Sequence, residues 1–435
     1  MPEDRVSKKE TIERLVKRFR ELLEDKLPDE PGTLEEIEQV TEEIGKDIKR
    51  EVEDECVSCH GTGYIGPRAD CKCGRKAKFK TYYEKRVVTL SSELTIQRAY
   101  YHCKACGRGF APVDEKLELD SLGTSIGVRT KVGRLAAWIP YEEVSVELGQ
   151  LCRIHLSKNT AGRIAKAMGK EVKKERRGRE AEVLSGCVES PAARAKRLYV
   201  GIDGTSVLTR GGGWREAKTG VIYETEERDG KVRIKRAEYL ATLERVEAFG
   251  ESVYTAAFDR GVENAEEVIA LGDGAPWIWR SFAHHYPKAV QVLDFYHASE
   301  HLNEVARAWH GEGTEKAKLW VEAREIDLLS DCVETVIRSI QSWRAADEES
   351  REIRRKNLMY FETNKERMRY ATYKSQGYHI GSGLVESACK TVVGQRLKQS
   401  GMRWSEPGAE AMLHLRSLIL TNRAVDLSHY AKSIA

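Results

Sequence analysis

The sequence predicts a multidomain α/β protein, and three observations carry that reading. The chain has 435 residues, enough for about three domains. Six of its ten cysteines fall between Cys56 and Cys106. From Arg197 onward, β-branched runs alternate with helical stretches, whereas the first fifty residues and residues 120–180 carry apolar side chains at helical spacing.

Lys and Arg number 72 against 69 Asp and Glu, a net charge of +3 that does not by itself call for nucleic acid. No apolar run reaches the roughly 18 residues of a membrane span. Met1-Pro2-Glu3-Asp4-Arg5 leads into charged residues rather than a signal-peptide stretch, so a cytoplasmic location is expected. In that compartment clustered cysteines point to metal rather than to disulfides.

Residues 1–50 read as a helical arm. Ile12, Leu15, Val16, Phe19, Leu22 and Leu23 form one amphipathic stripe, and Leu34, Ile37, Val40, Ile44 and Ile48 a second.

Residues 51–118 hold the cysteines. Cys71-Lys72-Cys73 and Cys103-Lys104-Ala105-Cys106 flank two alternating runs, Val87–Leu90 and Leu94–Arg98, that read as a hairpin. Close cysteine pairs across strands are the pattern of a zinc ribbon or knuckle, with Cys71, Cys73, Cys103 and Cys106 as one ligand set. Glycines after each pair let backbone N–H groups turn toward the thiolates. Cys56 and Cys59, with Gly61 and Gly63, resemble a knuckle of the J-domain chaperone zinc module and could join Cys71 and Cys73 instead. Cys56 to His60 also has the spacing of c-type haem attachment, which the expected absence of export argues against.

Residues 119–180 read as helical. Tyr141–Leu151 is amphipathic, and Ser157 is suited to N-cap a second helix, Ala161 to Val172. The short connection suggests a helix-turn-helix-like DNA-binding region. Its second helix is expected to expose Lys158, Arg163, Lys166, Lys170, Lys173 and Lys174, an ordinary solvated face on one reading and a phosphate-binding face on the other. Residues 173–196 read as a linker.

The pattern from Arg197 is Leu198–Ile202 as a strand, Gly220–Tyr223 as a second and Ala237–Leu243 as a third. A helix at about Ala248–Arg260 follows, then a strand at Val268–Leu271, a helix from Pro276 to His285, and a strand at Ala289–Asp294. Three meandering strands followed by crossovers describe a ribonuclease H-like core, whose first part covers residues 195–300. In that fold the first and fourth strands are neighbours. Residues 301–375 read as a helical insertion, and residues 376–435 as the last part of the core.

Three carboxylates stand in strand-end or helix-start settings: Asp203, Asp273 and Glu386. Each Asp-Gly alone reads as a strand ending in a turn, and the glutamate alone as a solvated helix residue. Brought together they would repel unless cations lay between them. Two Mg²⁺ ions about 3.5–4 Å apart would resolve the repulsion and drive phosphoryl transfer, and Mn²⁺ should substitute. Lys390 lies four residues after Glu386 on the same helix face and could reach a phosphate. Arg396 and Lys398 could track the strand beyond, or form a solvated face. Trp404 is a core residue or a base-stacking platform.

The segment from Leu198 onward resembles DDE transposases of bacterial insertion sequences, in particular the Kra-type group, distantly related to mutator-like transposases. The resemblance rests on Gly201-Ile202-Asp203-Gly204-Thr205, on Gly272-Asp273-Gly274-Ala275, and on Gly381-Ser382-Gly383-Leu384-Val385-Glu386-Ser387-Ala388-Cys389-Lys390. Asp294-Phe295-Tyr296-His297 is similar to the family's Cys/Asp-x-x-His element. The resemblance implies Asp203, Asp273 and Glu386 as the catalytic metal-binding triad, with His297 orienting a carboxylate or touching the scissile strand. Tyr100-Tyr101-His102-Cys103 and Pro112-Val113-Asp114-Glu115 extend it, and the Cys71-x-Cys73 spacing departs from the group's usual Cys-x-x-Cys.

The reading is a transposase that cuts and joins double-stranded DNA at element ends and target DNA. It would use catalytic Mg²⁺ and structural Zn²⁺, and work near the nucleoid as a homodimer or higher oligomer. The alternatives are a non-catalytic DNA-binding protein derived from a transposase, and a ribonuclease H-like nuclease or resolvase without strand transfer.

Overall fold

The computed structural model describes residues 8–30, 32–119, 121–192, 196–228, 231–381 and 383–434. It is a mixed α/β protein with two sheets. The chain divides into two compact units, residues 1–171 with 426–435, and residues 172–425. Among the described residues, no helix is long and apolar enough to cross a membrane.

The first unit opens with α1 (Lys8–Lys26) and α2 (Leu34–Ser58). A capping box starts α2: Thr33 Oγ1 accepts from the Glu36 N–H, and Glu36 accepts from the Thr33 N–H at 2.7 Å. The expected hairpin exists but is longer than its apolar alternation, because polar residues extend both strands. Strand β2 (Lys76–Val88) pairs antiparallel with β3 (Glu93–His102), flanked by β1 (Arg68–Asp70) and β4 (Gly109–Phe110). Helices α3 (Pro112–Lys116), α4 (Ile126–Ala136) and α5 (Tyr141–Cys152) follow. Fully buried Arg129 on α4 donates to the carbonyls of Thr124 and Ala431, tying the C-terminal helix, Ser428–Ser433, into this unit. The sequence pattern groups the last ten residues with the core segment 376–435, but they pack with the first unit.

Ser157 does accept from the Thr160 N–H, but the helix it starts, α6, runs from Lys158 to Leu184. The linker reading of residues 173–196 is corrected to that extent. The polar second half of α6 is held by ion pairs: Lys173 with Glu244 and Glu410, Arg177 with Glu180, and Arg179 with Asp259. Lys173, expected on the solvated face, is therefore half-buried between two carboxylates.

The second unit is built on a sheet of order β7-β6-β5-β8-β9. Its strands are β5 (Arg197–Thr209), β6 (Gly213–Arg228), β7 (Lys231–Thr242), β8 (Glu267–Gly272) and β9 (Val290–Leu293). The first three are antiparallel, whereas β8 lies parallel to β5 and β9 parallel to β8. Helices α7 (Val246–Phe258) and α8 (Pro276–His285) make the crossovers. The next helices, α9 (Phe295–His310), α10 (Glu315–Leu329), α11 (Val333–Ser342), α12 (Glu348–Asn364) and α13 (Tyr370–Ser375), form the helical stretch expected there. Then come α14 (Gly383–Ala388), a π-helical segment Cys389–Gly394, α15 (Gln395–Leu397) and α16 (Glu406–Thr421).

One close approach fixes α14 on the sheet. A Cβ on Gly201 would sit 2.2 Å from Val385 Cγ2. Only a glycine lets the helix lie this near the central strand. Gly201→Ala should cost about 1–3 kcal/mol by overpacking. Adding Val385→Ala should lose less than the sum of the two single changes, because the clash is shared. Urea unfolding of the four proteins checks this, and strict additivity would mean that the two positions do not press on each other.

Candidate active site and metal centre

Four thiols of the first unit form a metal centre's donor set. Cys71, Cys73, Cys103 and Cys106 are, among the described residues, the one group of three or more His, Cys, Asp or Glu side chains whose ligand atoms all lie within 4.8 Å of one another. Cys71 and Cys106 sulfurs are 3.6 Å apart, and those of Cys73 and Cys103 3.7 Å. Tetrahedral zinc at a Zn–S distance of about 2.3 Å requires sulfurs about 3.8 Å apart, so the set fits. Tight turns shape it: the Gly74 N–H donates to the Cys71 carbonyl, the Gly107 N–H to the Cys103 carbonyl, and both glycines have positive φ. Backbone N–H groups of Cys106 and Ala105 help lower the Cys103 thiol to about 7. The alternative ligands are excluded from the centre. Cys56 lies within α2 and Cys59 caps its end, where the Cys59 sulfur is 3.8 Å from Thr11 Oγ1. Purified protein should hold one zinc that Cys103→Ser or Cys106→Ser releases and Cys56→Ser does not. Elemental analysis and thermal unfolding check this, and a metal-free folded sample would contradict it.

In the second unit, sheet register aligns the two aspartates. Parallel pairing of β5 and β8 ends at Gly201 opposite Leu271, so Asp203 and Asp273 each lie two residues beyond the last pair. Neighbouring strands are about 4.8 Å apart, and matched positions point to one face. Asp203 Oδ1 accepts from the Gly204 N–H at 2.6 Å, and Asp273 Oδ1 from the Ala275 N–H at 2.9 Å. Burial pushes the Asp203 carboxyl above its usual range and the Asp273 charge adds to that, while Cys389, the Gly204 N–H and His297 pull it down.

Glu386 rides on α14, next to the Val385 that packs on Gly201. Cys389, one helical turn on, hydrogen-bonds the Asp203 carboxylate. Glu386 lies three positions before Cys389 on the helix, and its side chain is exposed. Its carboxylate is nevertheless held by Lys390 at 2.5 Å, and the three acids do not reach metal-ligand spacing of one another. Lys390, expected to reach a phosphate, pairs with Glu386 here. With side-chain exposures of 74% for Lys390 and 49% for Glu386, the pair is screened by solvent and is weak enough for a cation at the aspartates to compete. Ser382, quoted in the Glu386 motif, lies outside the described residues.

His297 sits in the first turn of α9. Buried Asp294 caps that turn, accepting from the N–H groups of Tyr296 and His297, while its own N–H donates to the Gly272 carbonyl. His297 Nδ1 lies 3.1 Å from Glu300 Oε2. Lys398 is exposed and donates to Thr205 Oγ1, two residues past Asp203, at 2.5 Å. Arg396 is corrected from a strand-tracking residue to a buried one. Its guanidinium stacks over Trp404, 5.0 Å from the ring centroid, with Met402 Sδ 3.6 Å away. Trp404 is core, its indole N–H donating to the Leu397 carbonyl. On α6, Lys158 pairs with Glu142, Arg163 donates to Thr160, and Lys170 is exposed, whereas Lys166 is half-buried.

The reading of the sequence missed two supports. Tyr360, on α12, donates its hydroxyl to the Asp273 carbonyl at 3.0 Å and packs on Gly274, where a Cβ would lie 2.6 Å from its ring. Its other face stacks on His301 with centroids 3.6 Å apart. Buried Arg416 donates to the Thr391 carbonyl at 2.9 Å inside the π-helical segment. Neither lies near a motif in sequence. Only the glycine after Asp273, whose φ is +103°, hinted that something presses on that loop.

A model of the uncharacterised protein family UPF0236 matches residues 32–428. The chain belongs to this family. Among UPF0236 proteins of Caldanaerobacter subterraneus subsp. tengcongensis, TTE0402 is 28% identical over 424 residues, 95% of this chain and 75% of the relative. TTE2489 is 28% identical over 344 residues, covering 77% and 68%. A third UPF0236 protein carries a name joining eleven designations, TTE0033 to TTE2212, and is 26% identical over 337 residues, covering 77% and 67%.

Proposed function

We propose that this UPF0236 protein is a DDE-type transposase with a ribonuclease H-like core. The observation that carries the reading is the meeting of three elements: Asp203 and Asp273 in register on β5 and β8, and the Glu386 helix packed on Gly201 with Cys389 on Asp203. Three antiparallel strands followed by two parallel ones, with a helical stretch before the Glu386 helix, support the fold assignment. A relative's name that joins eleven designations fits a gene present in many copies of one genome, as self-mobilising DNA is.

Asp203, Asp273 and Glu386 offer hard oxygen donors only, which suits Mg²⁺ or Mn²⁺. The half-buried, neighbouring pair Asp203 and Asp273 is the part of the set that gains most from a cation. Bound metal would supply an activated water or 3′-hydroxyl and neutralise the departing oxygen. Cys389 and the Gly204 N–H hold Asp203 in orientation, and the Asx turn to Ala275 with Tyr360 holds the Asp273 loop. Lys398 carries a positive charge beside Thr205, suited to a DNA phosphate. Zinc shapes the first unit, whose α5–α6 pair with Lys158, Arg163, Lys166 and Lys170 recognises element ends. The protein works as a dimer or higher oligomer on DNA at the nucleoid, because two ends must be joined in one event.

Incubation with Mg²⁺ and DNA carrying the sequences that flank the gene tests the reading. Asp203→Ala, Asp273→Ala and Glu386→Ala should each lower cleavage by more than the 10–100-fold typical of residues that only support metal ligands. DNA binding should stay nearly intact. Cutting without joining would indicate a nuclease or resolvase, and binding without cutting a non-catalytic relative. Near-normal cleavage by Glu386→Ala would remove Glu386 from the site.

A further inference from the structure

The zinc-bearing sheet carries a concentrated positive charge that neither the metal centre nor the acidic site uses. Between Lys72 and Arg86 stand seven Lys or Arg and one Glu, a net +6 in a chain whose total is +3. Ala77 and Phe79 turn into the cluster around Cys71 and Cys103. Strand alternation therefore sends Lys76 and Lys78 to the opposite face. Lys78 lies across from His102, and an irregularity between Phe79 and Thr81 displaces Lys80 from the ladder. Along the same face Tyr83 meets Tyr100 edge-on at 5.2 Å and stays 51% exposed.

Little within the protein neutralises this face. Lys76 pairs with Asp70 at 2.6 Å, Lys72 with Glu115 at 3.1 Å and Arg86 with Glu93 at 3.8 Å, and each of these six side chains is more than half exposed. Such exposed pairs are weak and yield readily to a polyanion. Among the described residues, Arg75, Lys78 and Lys80 make no ion pair. Lys76 and Lys78, at alternate positions of the strand, stand about 6.8 Å apart, and exposed Lys80 lies in the irregularity just beyond them.

We infer that the basic stretch of β2 bearing Lys76, Lys78 and Lys80 docks the phosphate backbone of double-stranded DNA. The inference rests on the transposase reading for its partner and adds a contact surface to it. Lysines as compact point charges suit phosphate contacts, which position a protein on a duplex without reading its sequence. The hairpin thus contributes affinity and register, and discrimination between sequences lies elsewhere. The zinc centre has a role here: it braces the end of the sheet where the lysines begin.

The test uses the full-length zinc-loaded protein and two labelled duplexes, one with the sequence flanking the gene and one scrambled. Binding is measured across a salt series for the parent, for Lys76→Ala/Lys78→Ala/Lys80→Ala, and for the corresponding triple Lys→Arg variant. The alanine variant should weaken on both duplexes alike. Its plot of log K against log salt should flatten by about 0.9 for each phosphate it no longer neutralises, so by about 2–3. The arginine variant should bind like the parent, and zinc content should be unchanged in all three. An alanine variant with the parent's salt slope and affinity overturns the assignment of this face while the transposase reading stands. A loss confined to the flanking sequence would make the hairpin a base reader and also overturn it. A parent that binds neither duplex would sink the DNA reading itself, whatever the variants do.

Discussion

The near contact between Gly201 and Val385 governs the second unit. A helix normally keeps its distance from a sheet because two layers of side chains intervene. Here one layer is missing at a single point, and α14 descends onto β5. That descent carries Cys389 to Asp203, and Glu386 rides on the same helix. Register does the complementary work in the sheet, since a one-residue slip between β5 and β8 would send one aspartate to the opposite face.

Electrostatics explain why the acids are where they are and why they stay uneasy. Asp203 is half-buried, has Asp273 for a neighbour, and is held mainly by neutral donors. A pair of this kind adds nothing to the stability of a strand end. Glu410 offers the contrast. Burial alone would raise its carboxyl, but His414, the Leu243 N–H and Thr242 hold it below the usual range, and Lys173 completes its shell. One acid is satisfied by its own protein, and the other lacks a counter-charge of comparable strength.

Much of this was legible in the residues, and the failures share a cause. Pro276 at a first turn marked the start of α8, and Asp203, Asp273 and Glu386 stood out by their local settings. The cysteine spacing alone left two ligand sets open, because it could not show that α2 runs through Cys56. Polar segments misled most. The second half of α6 has few apolar residues and looked like a linker, yet its Lys and Arg find Glu244, Glu410 and Asp259 from far along the chain. Arg396 looked solvated and is buried beneath Trp404. In most of these cases the deciding partner lies tens or hundreds of residues away, where periodicity carries no information.

The π-helical segment Cys389–Gly394 has a consequence for how this protein can change. A π turn holds one residue more than an α turn and rotates everything beyond it. Here it lets Val385 and Cys389 face β5 while Val392 and Val393 are also buried, and Arg416 covers the carbonyl that the wider turn frees. Removing a single residue between Cys389 and Gly394 would swing Glu386 by about 100° relative to the helix that follows. The geometry therefore depends on the length of this stretch more than on its composition, and a frame-preserving one-codon deletion there would turn Glu386 away from its present setting while leaving every side chain encoded.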